Sequence, residues 1–251
     1  MKQALSILFL ILLLVGCSSN TSSENNKKIT GNENQTENNA NEKNDETKQQ
    51  KNQKQTESEI DEYQPNSQVT DDRSLQKVGQ TYADQKGEAT LKAMKNVNKT
   101  YEMGSIELTV RETKMIHLRP DYGMIDYFHV LTHDEEFDFV KVFVEIKNKY
   151  SEKVNFAPIA LLKTNTGETF DWQKDIYLEE LNGEIEGNAT KFGNLGFIVN
   201  ATDGHAHIEG HNEQSDHKKA KDIKWIEITT SDVFDKEHKK ISDSQKIRIE
   251  F

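Results

Sequence analysis

Alternation of apolar and polar residues along short runs constrains the fold of this chain more than any other feature. The clearest run is Val140–Lys147, in which every second residue is β-branched. Similar alternation occurs in 106–110, 154–156, 195–199, 226–228 and 247–251. A period of two places successive side chains on opposite faces of a strand. Six or seven such runs, separated by turn signals, predict an all-β fold, an antiparallel β-sandwich over residues 101–251.

Residues 73–100 form a lead-in segment with weaker signals. Leu75, Val78 and Tyr82 have i, i+3, i+7 spacing, which predicts a short helix over 74–84, although Gly79 interrupts it. The stretch 89–97 fits a helix or a strand equally well. The stretch 117–136 fits a strand extension followed by a long loop.

The segment 18–72 contains very few apolar residues. Its 55 residues include six Lys against twelve Asp and Glu, and its apolar or aromatic members are Ile29, Ala40, Ile60, Tyr63 and Val69. Such a segment cannot bury enough apolar surface to offset the entropy lost on folding. We therefore interpret it as a disordered polar tether with a mean span on the order of 40 Å. A specific interaction tail is the alternative interpretation.

The first sixteen residues have the pattern of a signal peptide. A positive charge at Lys2 precedes an apolar run, Ala4–Val15, which is too short to cross a hydrocarbon core of about 30 Å. The run ends in Leu14-Val15-Gly16-Cys17, which matches the bacterial lipoprotein signal. Residues 1–16 are then removed by cleavage between Gly16 and Cys17. An ordinary secretory signal with an incidental Cys is the alternative.

Cys17 is the only Cys in the chain. Its thiol would carry a diacylglycerol group, and fatty acyl chains such as palmitate hold a protein stably on a membrane when two are present. We therefore expect residues 17–72 to comprise the lipidated Cys and the tether. The predicted location is the extracellular face of the cell membrane. A single Cys also excludes an internal disulfide framework and a Cys-rich zinc site.

The order of these signals resembles an uncharacterised family of extracellular domains found in Gram-positive membrane lipoproteins. The resemblance is carried by Phe139–Asn148, Thr166-Gly167-Glu168 and the run Gly187–Val199. It covers residues 101–251 together with the lipoprotein signal and the tether. It implies an immunoglobulin-like β-sandwich at the cell surface and supplies no catalytic residues.

Several classes of function are disfavoured by composition and motifs. The formal net charge of −11 argues against nucleic acid as a partner, since phosphate binding needs a basic surface. The chain has no G-x-S-x-G nucleophile motif and no phosphate-binding P-loop motif. We therefore expect a non-catalytic binding or scaffolding domain for an unknown surface protein or wall component, with no cofactor. Loops such as 200–222 are the expected contact surface.

The sharpest local pattern is a group of four His within thirteen positions, namely His205, His207, His211 and His217. His205 and His207 would lie on one face of a strand, and a loop could bring His211 or His217 to the same metal ion. Imidazole nitrogens are good ligands for Zn²⁺ and Cu²⁺. The alternative function is therefore a surface metal-binding lipoprotein. A plain solvated loop explains the same residues.

Two further patterns are interpreted as structural. The acidic stretch 171–186 lacks the spacing of a calcium-binding loop, so an amphipathic turn or short helix is favoured over a Ca²⁺ site. Core or strand-edge packing is favoured over a sugar-stacking platform for the aromatic residues Tyr127, Phe128, Phe137, Phe139, Trp172 and Trp225.

Overall fold

The computed structural model of this chain describes residues 63–201 and 222–251. Strands dominate these residues. Helical structure there is limited to α1 (Tyr122–Phe128) and a 3-10 helix at Trp172–Lys174. The predictions for the signal peptide, Gly16, Cys17 and the four His at 205–217 fall outside the described residues.

In the described ranges the strands form three antiparallel sheets. The first sheet has the order β1-β2-β3-β4-β9, with β1 at Thr81–Asp84, β2 at Gly87–Met103, β3 at Ile106–Pro120, β4 at Phe137–Asn148 and β9 at Thr190–Val199. The second sheet has the order β13-β10-β6-β7, with β6 at Leu161–Thr164, β7 at Thr169–Asp171, β10 at Trp225–Thr229 and β13 at Lys246–Glu250. The third has the order β12-β11-β5-β8, with β5 at Val154–Phe156, β8 at Gly183–Ile185, β11 at Val233–Asp235 and β12 at Lys240–Ser242. The predicted all-β, antiparallel class is confirmed.

The main apolar core has a sandwich-like arrangement, because all three sheets contribute to it. The first sheet contributes the inward side of β3, β4 and β9, including Val110, Val142 and Phe197. Strands of the second and third sheets contribute Ile226, Ile228, Val154 and Val233. This core accounts for the alternation seen in the sequence, since every second residue of β4 points into it.

The opposite face of the first sheet is also covered. Ile116, Phe139 and Ile198 stand side by side on β3, β4 and β9. They belong to a second apolar cluster with Val69, Leu75, Phe128, Ile176 and Tyr177. Those covering residues come from the segment before β1, from α1 and from the segment after β7. β3, β4 and β9 are therefore covered on both faces over this part of the sheet, so polar side chains on the covered face can be buried.

The predicted helix over 74–84 is wrong. Gly79 has a φ of +86° and its N–H donates to the carbonyl oxygen of Leu91 at 2.8 Å, so the chain turns there and enters β1. Leu75 is buried, but Val78 is 70% exposed. The i, i+3, i+7 pattern therefore does not mark one buried face.

The folded structure continues across the predicted domain boundaries at 72/73 and 100/101. Residues 63–72 lie on the first sheet, where Val69 and Asp72 are buried. The lead-in segment 73–100 contains β1 and most of β2, and β2 pairs with β3 along nearly its whole length. Hydrogen bonds to the sheet hold the polar residues 63–72 in place, which composition alone does not reveal.

The stretch 117–136 begins with the end of β3, as the predicted strand extension requires, and then includes α1. Asp121 caps this helix by accepting a hydrogen bond from the N–H of Gly123 at 3.2 Å. Among residues 63–201 and 222–251, no helix combines the length and apolar character needed to span a membrane.

Candidate functional site

Two lysine side chains meet on the covered face of the first sheet. Lys114 of β3 and Lys141 of β4 are direct cross-strand partners. Their Nζ atoms lie 2.9 Å and 2.6 Å from the same oxygen, Oδ2 of Asp72. Each also lies 3.1 Å from Oε1 of Glu112. These four residues form the buried ion cluster.

The buried ion cluster balances two positive charges with two negative charges in a place that is largely shielded from water. The side chain of Lys114 is 0% exposed and that of Lys141 is 3% exposed. Burial alone would raise the pKa of Asp72, but the two ammonium groups outweigh it and hold that pKa below its usual value. Burial likewise opposes the charge on Lys141, yet Asp72 and Glu112 raise its pKa. Both groups therefore stay ionised around neutral pH.

Asp72 reaches the lysines because residues 63–76, which we call the strap, are fixed across the sheet. Oδ1 of Asn66 accepts a hydrogen bond from the backbone N–H of Val69 at 3.1 Å. Nδ2 of the same side chain donates to the carbonyl oxygen of Tyr177 at 2.8 Å. Lys86 donates to the carbonyl oxygen of Asn66 at 2.9 Å. These contacts join the strap to two other segments of the chain, so its path does not depend on apolar burial alone.

Tyr63 lies at the start of the strap and joins a second set of buried polar groups. Its hydroxyl donates to Oε1 of Glu179 and accepts from Nδ2 of Asn194 at 2.7 Å. The other oxygen of Glu179 accepts the backbone N–H of Asn194 at 2.7 Å. Burial, followed by the contact with Glu179, raises the pKa of Tyr63 well above its usual value. The phenol therefore remains protonated and acts as a fixed donor.

The segment after β7 is held against the sheet by Asp175. Its Oδ1 accepts backbone N–H groups of Gly196 at 2.8 Å and Tyr177 at 3.0 Å, and its Oδ2 accepts that of Leu178 at 3.3 Å. Burial raises the pKa of Asp175 to about 6, although these hydrogen bonds oppose the shift. Gly196 is required at this point, because a Cβ there would come within 2.8 Å of the Tyr177 ring.

A cavity of about 270 Å³ opens beside the buried ion cluster, at the edge of the strap. Its walls are formed by Tyr63, Arg73, Gln76, Glu112, Lys114, Lys141, Phe143 and Asn194. The aromatic rings of Tyr63 and Phe143 have centroids 5.8 Å apart. The volume is about nine times the roughly 30 Å³ that one water molecule occupies in the liquid. The cavity is therefore large enough for a ligand the size of a single six-membered ring.

The chemistry of this cavity favours binding over proton transfer. General acid–base catalysis requires a group whose pKa lies near the working pH. The pKa of Asp72 is lowered and those of Lys141 and Tyr63 are raised. Each of these three groups therefore keeps one protonation state at neutral pH, which suits it to positioning a ligand.

The cavity walls, as the described residues define them, are formed by residues that the sequence did not single out as a site. His205, His207, His211 and His217 lie outside the described residues, and the zinc site remains a prediction. In the acidic stretch, Asp175 and Glu179 accept backbone N–H groups. Across 63–201 and 222–251, no group of three or more His, Cys, Asp or Glu residues is arranged to hold a metal ion.

Sequence reasoning missed the buried lysines because Lys141 sits on the polar side of an alternating strand. A signal was nevertheless present in the sequence. Phe139, Lys141 and Phe143 share one face of β4. Two aromatic residues on an otherwise polar face indicate that another part of the chain covers it. The sequence does not identify Asp72 as the covering partner.

The fold and the cavity together define a class, namely an all-β protein with a small cavity on the covered face of its largest sheet. The chain is 63% identical to "Uncharacterized protein YdhF" of Bacillus subtilis (strain 168), over 251 residues and the full length of both proteins. It therefore belongs to the same family as YdhF.

Comparison with family models and solved structures adds little to this assignment. No protein-family model matches the chain. A functionally unknown protein from Listeria monocytogenes EGD-e aligns with 66% of this chain and 87% of its own, at 13% identity and a TM-score of 0.39. A conserved hypothetical protein from Bacillus anthracis aligns with 43% of this chain and 81% of its own, at 16% identity and a TM-score of 0.29. Both TM-scores are below 0.5, so neither similarity bears on fold or function.

Proposed function

We propose that this chain is a lipoprotein of the extracellular cell surface, in which a tether carries an immunoglobulin-like, non-catalytic binding domain. The observation that carries the proposal is the sequence Leu14-Val15-Gly16-Cys17, which places the only Cys of the chain at the position that is lipidated in bacterial lipoproteins. The antiparallel sheets around one core support the domain class. The cavity beside the buried ion cluster supports binding as the role of that domain.

The anchor is tested by changing Cys17 to Ala and separating membranes from soluble material. Loss of the thiol removes the acceptor of the diacylglycerol group, so the variant should leave the membrane fraction or keep its signal peptide. Ser18→Ala is the matched control, since it alters the neighbouring residue and leaves the thiol in place. Equal membrane retention of both variants at the mature size would refute the lipid anchor.

The binding role is tested by crosslinking on intact cells that express the wild-type chain, followed by recovery of the chain and its crosslinked material. We expect a surface protein or a wall component to be enriched over a sample treated without crosslinker. Recovery of the chain alone would count against a binding or scaffolding role.

A second function, surface metal binding, is favoured by one observation, the four His within thirteen positions. Zinc titration of the full chain tests it, with the double variant His205→Ala/His207→Ala as the comparison. Micromolar or tighter affinity that is lost in the double variant is the expected result for a metal site. Weaker affinity, or no change in the variant, removes this function.

A further inference from the structure

We infer that the cavity beside the buried ion cluster binds a neutral, hydroxyl-bearing ring, the chemistry of a single sugar residue. The inference rests on the proposed binding function and names the class of ligand. Three features of the cavity support the inference. Its walls contain hydrogen-bonding groups without a full set of partners, the charges around it are balanced, and two aromatic rings line it.

Asn194 leaves one acceptor without a partner. Its side-chain Nδ2 donates to the Tyr63 hydroxyl, which in turn donates to Glu179, so the orientation of the amide is set. Its Oδ1 is buried and has no hydrogen-bond partner among the described residues, and the residue is only 3% exposed. A buried polar atom left unpaired is costly, and a ligand that donates to it removes that cost.

The buried ion cluster leaves both a donor and an acceptor. Lys141 Nζ contacts one oxygen of Asp72 and one of Glu112, which account for two of its three N–H groups. Both lysines contact Oε1 of Glu112, and their contacts do not involve Oε2. A ligand group that both donates and accepts matches these positions, and a hydroxyl group is the simplest example.

The charge balance argues against an ionic ligand, because Arg73 in the cavity wall is paired with Asp71 and the buried ion cluster is neutral overall. Lys114 and Lys141 are neutralised by Asp72 and Glu112 at contacts of 2.6–3.1 Å. A phosphate or carboxylate would have to displace one of these internal carboxylates, and a cation would meet the two ammonium groups. A neutral ligand enters without breaking a buried ion pair, whose disruption is strongly unfavourable.

The aromatic rings suit the apolar face of a sugar ring. Tyr63 and Phe143 both line the cavity, and their rings have an interplanar angle of 59°. One ring can stack on the C–H face of the ligand while the other borders its edge. The volume of about 270 Å³ accommodates one ring, which corresponds to a free monosaccharide or to the terminal residue of a glycan.

The test is ligand-observed NMR on the full chain in a polyoxyethylene detergent, which carries no sugar head group. The neutral probes are glucose and N-acetylglucosamine, and the charged probes are glycine and inorganic phosphate. We expect saturable binding of at least one sugar with a Kd of about 1 mM, and no binding of either charged probe. Binding of glycine or phosphate without either sugar would overturn the ligand class and leave the proposed binding role standing. Binding of no probe would overturn the ligand class as well.

Variants locate the binding. Phe143→Leu should weaken sugar binding at least tenfold, and Trp172→Leu, at a half-exposed aromatic residue outside the cavity wall, should leave it unchanged. If Phe143→Leu does not fold, Gln76→Trp serves instead, because Gln76 is exposed at the cavity and a larger side chain there blocks entry. Unchanged sugar affinity in the folded cavity variant would place the binding elsewhere and overturn the inference. Membrane fractionation of the Cys17 variant is independent of these results, so the two proposals can fail separately.

Discussion

Asp72 and Lys141 are 69 residues apart in the chain, yet the carboxylate Oδ2 of one lies 2.6 Å from the ammonium Nζ of the other in the interior of the protein. The contact connects the strap to the middle of β4. Because Lys114 shares the same carboxylate oxygen, one side chain of the strap neutralises much of the charge on the covered face of the sheet. The strap is therefore part of the folded domain, even though its composition resembles that of the tether.

Removal of the Asp72 charge should destabilise the domain strongly. Asp72→Asn leaves two buried ammonium groups with Glu112 as their only carboxylate in the cluster, and breaking a buried pair in this way costs about 3–5 kcal/mol. The matched control is Asp71→Asn, which alters a partly exposed pair with Arg73 and should cost less than about 1 kcal/mol. Urea unfolding at pH 7 measures both values. Equal effects of the two variants would show that the buried ion cluster contributes little to stability.

Asp72 and Lys141 should also be energetically coupled. Lys141→Met removes one buried charge, so in the double variant Asp72→Asn/Lys141→Met the two losses partly cancel. We expect the double variant to be about 1–3 kcal/mol more stable than the sum of the single effects predicts. The measurement is a double-mutant cycle by urea unfolding. Simple additivity would contradict a direct interaction between these two side chains.

Asp175 should give the free energy of unfolding a distinctive pH dependence. Its pKa in the folded protein is about 6, above the usual value of 3.8, so the folded state takes up a proton before the unfolded state does as the pH falls. The wild type should therefore gain stability relative to Asp175→Asn by up to about 1.4 kcal/mol per pH unit between pH 6 and pH 4. Urea unfolding of both proteins at pH 7, 5.5 and 4.5 measures this difference. A difference that stays constant or shrinks on acidification would show that this carboxylate is not responsible.

Gly196 should not tolerate a larger side chain. A Cβ at this position would lie 2.8 Å from the Tyr177 ring and 2.9 Å from Cγ1 of Ile176. Gly196→Ala should therefore push the segment after β7 off the sheet and cost about 1–3 kcal/mol. The control is Gly123→Ala in α1, where the new Cβ meets only Asp121 at 3.8 Å and Ala is the better helix former. Thermal unfolding should show a lower Tm for the first variant and an unchanged or higher Tm for the second.

The strands with regular alternation were predictable because burial on one face leaves a period of two. The runs at 106–110, 140–147, 195–199, 226–228 and 247–251 all coincide with strands. β1 and β2 were not recognised, because the outer residues of β2 are largely exposed and bulges at 91/93 and 96/99 interrupt its register. A bulge shifts the side chains to the other face, which destroys the alternation on which the prediction depends.

The candidate site was much less predictable than the fold. Lys114, Lys141 and Glu112 have the spacing of ordinary solvated strand residues, and Asp72 lies in a polar stretch read as tether. A buried charge leaves no periodic signal of its own in the sequence. Its only trace is the pair of aromatic residues, Phe139 and Phe143, on the same face as Lys141.

The amino-acid sequence by itself determined the all-β, antiparallel class of this protein, because that class follows from local periodicity and turn residues. It also carries the motif at Gly16 and Cys17 on which the proposed location depends. Only the tertiary structure decided that residues 63–72 belong to the folded domain, which face of the sheet is covered, and how Asp72 meets Lys114 and Lys141. The physical reason is that these contacts join residues far apart in the chain, and their free energy depends on exclusion of water that no short window of sequence records.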